Sequence, residues 1–410
     1  MPSLIDAVHQ SLDRRLATHC DHPIAVALSG GGDSVALAHI AKGWAQTHGR
    51  RLLCLTVDHG LNPASLAWTA ACGDLAAQLG ADFQALTWTG PKPVTGIPAA
   101  ARAARHALLA DAARSAGASV ILMGHTASDL SESAVMRLEG SSTPDAREWS
   151  PSPIWPQGRG LFLLRPMLGL GRSELRAWLS QEGINWIDDP ANDDLRFARS
   201  RARRLPQPTG TAVQALPTLI PRDLALTVEE DFGLRMPRQA LLSVEPSAAA
   251  ALVGIACVCA GGGDRLPDRQ RLVRLTEALR SQRPVTMTLS GSQVLADQDT
   301  IRWVRPAGDI RRSRSEDLHL VPGEVGVWDG RYEVRAQTRT SVSALADHRA
   351  DLSKAARAEL AQIPARARGA LPFFAGETEL SAPPGTDVAS LVLRRFQAAV
   401  GLIQQEPAAD

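Results

Sequence analysis

The sequence predicts an α/β protein: a doubly wound, mostly parallel sheet, followed by a helical segment and a small C-terminal mixed α/β domain. Two observations predict the sheet. Between residues 20 and 185 short apolar runs alternate with segments of helical spacing, the pattern of parallel strands covered by helices. The first of those runs then breaks into Ser-Gly-Gly-Gly-Asp-Ser before helical spacing resumes. A third observation bounds the answer, because 410 residues with 44 % hydrophobic composition suffice for two or three domains with cores of their own.

Taken in order, the opening stretch MPSLIDAVHQSLDRRLATHC has the spacing of an amphipathic helix and lacks the apolar run of a signal peptide. Strands are expected at Ile24 to Leu28, Leu52 to Val57, Phe83 to Trp88, Val120 to Met123 and Leu161 to Leu164. The segments between them carry helical spacing, and several end in glycine, as helices often do. Residues 141–160, rich in Ser, Pro and Gly, read as a long loop, and its Trp149 and Trp155 are candidates for stacking on an extruded base. After RSELRAWLSQEGINW, a helix and turn, composition shifts to charge and then to proline, which places a boundary near residue 206. The expected domains are therefore 1–206, a helical connecting domain at 207–284, and 285–410, where alternating runs read as hairpins.

Composition narrows the chemistry. Formal net charge is only +1, so a polyanion would have to be met by a local basic patch. Lysine occurs only at Lys42, Lys92 and Lys354, none after a glycine, which excludes a Walker A loop. The basic residues are otherwise arginines, whose forks suit phosphate oxygens. Five cysteines without a C-x-x-C pair argue against a disulfide framework and a zinc knuckle, and point to the reduced cytoplasm. No run of eighteen apolar residues occurs, so no membrane partner is expected.

In a parallel sheet, ligands sit beyond the carboxyl ends of the strands, where residues 29–34 fall. Gly30, Gly31 and Gly32 permit close backbone approach, and the helix that follows adds positive partial charge, so the loop suits a phosphate. Ser29 and Ser34 can donate hydroxyl hydrogen bonds, whereas Asp33 beside a phosphate makes sense if a cation intervenes, which favours a Mg²⁺-bound nucleotide. A plain tight turn is the alternative. The string S-G-G-x-D-S after a strand is more specific, and resembles the PP-loop of the N-type ATP pyrophosphatases, which transfer AMP from ATP to a substrate oxygen and release pyrophosphate.

Further stretches make the chain similar to the tRNA(Ile)-lysidine synthases: TVDHGLNPAS (56–65), AAARAARHALLADAA (99–113), GHTASDLSESAVMRLEGSS (124–142), LLRPMLGLGRSELRAWL (163–179) and DDPANDDLRFARSRARR (188–204). The resemblance implies adenylation of O2 of the wobble cytosine of tRNA(Ile) with a CAU anticodon, then attack of L-lysine on the activated carbon. Carried over residue by residue, it implies that Ser29, Gly30, Gly31, Gly32, Asp33 and Ser34 hold the ATP phosphates. It places Thr56, Val57 and Asp58 on the adenine side, Arg102 on the triphosphate, and Asp33 and Asp129 on Mg²⁺. Catalytic roles fall to Asp33, Asp129 and His125. The family pattern H-x-x-D-D-Q-x-E-T is altered here, with Ser128, Leu130 and Ser133 at its first Asp, Gln and Thr, so only the second carboxylate of the pair is kept.

For tRNA, RFARSRARR packs five arginines into nine residues, enough to neutralise several phosphates. The resemblance assigns Arg105, Glu132, Asn192, Arg196, Arg199 and Arg203 to that side. A second cluster, Arg311, Arg312 and Arg314, is a candidate for the tRNA arm or, beside Glu316 and Asp317, an ordinary solvated loop. Homodimerisation, a tRNA-binding paralogue without lysine transfer, and another PP-loop tRNA-modifying ATPase all remain open from sequence.

Overall fold

The computed structural model describes residues 3–18, 20–138, 146–188, 227–229, 233–281, 283–313 and 316–407. The chain divides into two compact units, Met1–Leu216 with Ile403–Asp410, and Pro217–Leu402. The basic stretch carrying Asn192, Arg196, Arg199 and Arg203 lies outside the described residues, as does Arg314.

The first unit is the predicted doubly wound sheet. Its strands are β1 (Ile24–Ala27), β2 (Leu52–Asp58), β3 (Asp82–Thr87), β4 (Val120–Leu122), β5 (Trp149–Pro151) and β6 (Phe162–Leu164), in spatial order β3-β2-β1-β4-β6-β5. All neighbours are parallel except β5, which runs antiparallel to β6. The central strands are buried along almost their whole length, which is why they read as continuous apolar runs and not as alternation. Six helices accompany them: α1 (Leu4–Arg15), α2 (Gly32–Thr47), α3 (Ser65–Gln78), α4 (Ile97–Ser115), α5 (Ala127–Leu138) and α6 (Arg172–Gln181). Helix α1 opens with a capping box in which Ser3 and Asp6 each take the other's backbone N–H, and Trp44 of α2 donates to its Asp13 at 2.6 Å.

One expected loop is partly strand. Residues 149–151 of the 141–160 stretch form the edge strand β5, a position that tolerates Pro151 because an edge strand leaves one row of N–H groups without a partner strand. Trp149 is accordingly no base platform: it is 7 % exposed, stacks on Phe162 with ring centroids 4.7 Å apart, and donates its indole N–H to Ile403 O at 2.8 Å.

The order of strands puts β1 between β2 and β4, so the chain leaves β1 in one direction and returns on its other side. The crevice at the carboxyl ends of β1 and β4 is the switch point where open α/β sheets bind ligands. Backbones meet closely there. A Cβ on Gly124, just past β4, would lie 3.1 Å from Ser34 N and 3.2 Å from Asp33 C, so glycine is what lets the two loops touch.

The second unit also departs from expectation. Strands β7 (Thr227–Glu229) and β8 (Gly233–Pro237), within the supposed helical connecting domain, join β9 (Val285–Leu289), β10 (Ser292–Ala296) and β11 (Thr300–Val304) in one sheet of order β7-β8-β11-β10-β9. Leu234, Met236, Leu252, Val253, Leu275 and Trp303 share one core, so no division falls at residue 284. Two three-stranded sheets follow within residues 318–390. The last residues return to the first unit, so 285–410 is not a single domain. No helix among the described residues is long and apolar enough to cross a membrane.

Candidate active site

Three helix N-termini converge on the switch-point crevice, and each contributes its first turn. Helix α2 starts at Gly32 behind a Gly31 cap and places Asp33 and Ser34. The hydroxyl of Ser34 donates to Gly31 O at 2.9 Å, accepts from Ser29 N at 3.1 Å and lies 3.1 Å from Ser29 Oγ, fixing the shape of the loop. Gly30 has φ +81°, a conformation that demands glycine, and a Cβ there would stand 2.6 Å from Ile187 Cδ1 and force that methyl to shift. Ile187 N donates to Gly30 O at 2.9 Å, and Trp186 lies over Gly32, so residues 186–187 strap the loop down. Ser34 N–H donates to Gly31 O at 3.0 Å, which leaves the N–H groups before it at the start of α2 without an acceptor in the helix, the usual source of an anion site.

Helix α5 supplies Asp129, whose carboxylate reaches back to Thr126 N at 2.8 Å and Thr126 Oγ1 at 3.1 Å, and one turn later Glu132. Helix α6 supplies Arg172. Its guanidinium donates to Asp33 Oδ2 at 2.9 Å and to Glu132 Oε1 at 2.9 Å, and pairs with Asp129 Oδ1 at 3.5 Å. Glu132, expected among the tRNA-facing residues, is fully buried and turned inward, so it serves this cluster and not an RNA surface. The i, i+3 spacing of Asp129 and Glu132 sets both on one face of α5, and Arg172 links that face to Asp33.

Three carboxylates gather on one guanidinium in the cluster, and Arg176 also attracts Asp33. Burial raises the Asp33 carboxyl above its ordinary value despite the attraction of Arg172. Burial alone would lower Arg172, but Asp33, Asp129 and Glu132 together raise it, so it stays charged. Asp33 Oδ1 is buried without a hydrogen-bond partner. The cluster thus holds a buried acceptor oxygen facing no donor.

The remaining expected residues lie on β2, on α4, past β4 and, in the second unit, at residues 311–312. Thr56 is buried and spends its hydroxyl on Leu28 O at 2.7 Å, tying β2 to the end of β1, while Asp58 accepts from Gly60 N at 2.7 Å. Val57 is partly buried beside them. Arg102 is exposed and Arg105 half-buried on α4. Both lie close enough to His106 and Arg165 to lower them electrostatically. His125, half-buried past β4, accepts from Arg165 Nε at 3.2 Å through its Nδ1. The Arg311 and Arg312 side chains pair with Asp347 at 3.2 Å and Asp309 at 2.6 Å.

Arg172 and Arg165 were not singled out from sequence. One local signal existed for Arg172: it is the first residue of a helix, where the macrodipole disfavours a cation. A carboxylate in trans resolves that conflict, and three do so here.

A switch-point crevice floored by a glycine loop and ringed by carboxylates defines a PP-loop domain, and residues 5–208 match the model of that family. The chain is 46 % identical to the tRNA(Ile)-lysidine synthase of Caulobacter vibrioides, over 98 % of this chain and 99 % of that one. The enzyme of the same description from Hyphomonas neptunium is 36 % identical over 67 % of this chain and 79 % of its own, and that of Rhizobium meliloti 33 % over 77 % and 73 %. The chain belongs to the tRNA(Ile)-lysidine synthase family.

Proposed function

We propose that the protein ligates L-lysine to C2 of the wobble cytidine of tRNA(Ile) bearing a CAU anticodon, in the cytoplasm, with ATP as the activating substrate. Cytosine O2 attacks the α-phosphorus and pyrophosphate leaves; the lysine amine then forms the C2–N bond, sheds a proton, and AMP departs with the oxygen. Splitting one hard substitution into two easier ones is the gain of covalent activation. The observation that carries this reading is the cluster of Asp33, Asp129 and Glu132 on Arg172 beside the Ser29–Ser34 loop: an amide cradle for phosphates next to a carboxylate oxygen with no donor.

Mg²⁺ fits these residues. It favours one or two carboxylates together with substrate phosphates and water, and the unpartnered Asp33 Oδ1 is such a ligand, with Asp129 alongside. Bound there, the ion would neutralise charge on the triphosphate. Arg172 holds the carboxylates in place, the Gly30–Asp33 amides orient the phosphates, and residues 186–187 keep the loop in its binding shape. The same carboxylates suit the lysine ammonium, and a carboxylate with a raised pKa is a suitable acceptor for the amine proton. The arginines of residues 196–204 hold the tRNA backbone, and Pro217–Leu402 supplies a second surface for it.

The test is an assay with purified protein, ATP, Mg²⁺, lysine and the CAU-bearing tRNA, following pyrophosphate release and lysine incorporation. Both are expected, each dependent on the tRNA. Tight tRNA binding with no pyrophosphate would instead favour a paralogue that lost the chemistry.

A further inference from the structure

The two edges of the parallel sheet are built differently. Strand β5 is three residues long and ends in Pro151, two of the devices that stop an edge from pairing with another chain. Strand β3 at the other edge is six residues long, pairs only with β2, and is exposed at every position except Leu86. Its one charge, Asp82, stands at the start and pairs with Arg51 at 3.2 Å, so Phe83–Thr87 has neither charge nor proline. Trp88 N donates inward to Asp58 O at 2.8 Å. By the alternation of a strand, the amides of Asp82, Gln84 and Leu86 then point to β2, and those of Phe83, Ala85 and Thr87 point outward. Among the described residues no backbone group meets those three. The flank beside them is apolar. A Cβ on Gly73 of α3 would stand 3.1 Å from Phe83 Cε1, and Leu66, seven residues earlier on that side of the helix, is 74 % exposed. Helix α3 carries a single charge, Asp74.

We propose that β3 pairs antiparallel with β3 of a second copy of this chain, about a twofold axis through Ala85, joining two six-stranded sheets into one. The outward groups set the register. Ala85 meets the partner's Ala85 and Phe83 meets the partner's Thr87, each pair exchanging two hydrogen bonds, so every outward donor and acceptor is used. On the other face Gln84 falls opposite the partner's Leu86, and Asp82 opposite the partner's Trp88, so no like charges oppose each other. The strand's own pattern therefore selects a copy of itself as occupant. An RNA would find no cation here, since the charges of β3 and α3 are Asp82 and Asp74. Antiparallel pairing also sends the carboxyl ends of the two sets of strands in opposite directions. Each chain keeps its own crevice, and the pairing stands apart from the reaction proposed for it.

Sedimentation of the full chain across a concentration series tests the pairing without reference to activity. The wild type should run as a dimer at micromolar concentration. Ala85→Pro removes the central outward N–H and leaves the ladder to β2 intact, a change an edge strand tolerates. It should raise the dimer Kd on the order of tenfold or more, as should Ala85→Lys, which sets two ammonium groups against each other across the axis. Under mild oxidation Ala85→Cys should link two chains, because a hydrogen-bonded antiparallel pair holds its Cα atoms about 5.5 Å apart, within disulfide reach. Asp82→Cys, also exposed but far from its counterpart in this register, should stay unlinked. A monomeric wild type overturns the proposal. So does a dimer that neither Ala85→Pro nor Ala85→Lys weakens, or one that links no better through residue 85 than through residue 82. If Ala85→Pro does not fold, the Lys and Cys variants decide.

Discussion

Two arginines, Arg50 buried and Arg172 half-buried, sit at opposite ends of the same parallel sheet, and they are satisfied in opposite ways. At the amino end, beside the starts of β2 and β4, Arg50 holds Glu406 through two hydrogen bonds of 2.7 and 2.9 Å and spends its other donors on Ala17 O and His22 O. Glu406 in turn accepts from Ala17 N and Ser119 Oγ. One charge meets one charge and each carboxylate oxygen has two donors. At the carboxyl end, Arg172 faces three carboxylates, one of which keeps a buried oxygen without a partner. The first arrangement is closed and can only stabilise; the second is incomplete and is shaped for something to be added. An acceptor oxygen left without a donor, more than burial, separates a functional ion pair from a structural one.

The largest effect should come from breaking the closed end. Glu406→Ala leaves Arg50 buried and uncompensated, and should cost about 3–5 kcal/mol of stability in denaturant unfolding of the full chain. A midpoint unchanged from wild type would mean the C-terminal residues do not hold the first unit together. At the open end the balance is reversed. Asp33→Asn should lower pyrophosphate release on the order of a hundred- to a thousandfold while tRNA affinity stays near normal.

The same substitution should raise Tm at neutral pH, the opposite of Glu406→Ala. Burial lifts the Asp33 pKa above its ordinary value of 3.8, so folding favours the protonated form. That contribution is complete below the unfolded pKa and is lost as pH rises through the folded one, which makes the ionised group a burden at neutral pH. The Tm gain of Asn should therefore vanish on acidification. A gain that persists in acid would assign it to packing and not to charge.

Smaller effects sharpen the picture. Gly30→Ala imposes a left-handed backbone on alanine and sets its Cβ against Ile187, and should cost about 1–3 kcal/mol with a raised KM for ATP. Ala accepted with unaltered nucleotide kinetics would remove the strap of residues 186–187 from the account. Smallest is Arg199→Ala, expected to weaken tRNA binding several-fold and to reduce the salt slope by about 1, read from a binding titration at several salt concentrations. An unchanged slope would take that arginine off the phosphate backbone.

Much of the first unit was legible in sequence because its signals are local. Fully buried strands read as apolar runs, and the glycine loop announced a turn at a strand end. What was illegible lies in contacts between distant parts of the chain. Arg172 is 139 residues from Asp33, and Glu406 is 356 from Arg50, so no window of sequence contains either pair. Edge strand β5 was missed because Trp-Ser-Pro carries no alternation and ends in a residue that usually marks loops. Glu132 was misplaced because a carboxylate's burial depends on the arginine that meets it.

A structure of the protein soaked with a non-hydrolysable ATP analogue and Mg²⁺ tests the open end most directly. The triphosphate should lie on the N–H groups of residues 30–33, with the ion at about 2.1 Å from Asp33 Oδ1. A nucleotide bound elsewhere, with Asp33 still turned only to Arg172, would contradict the assignment of this crevice.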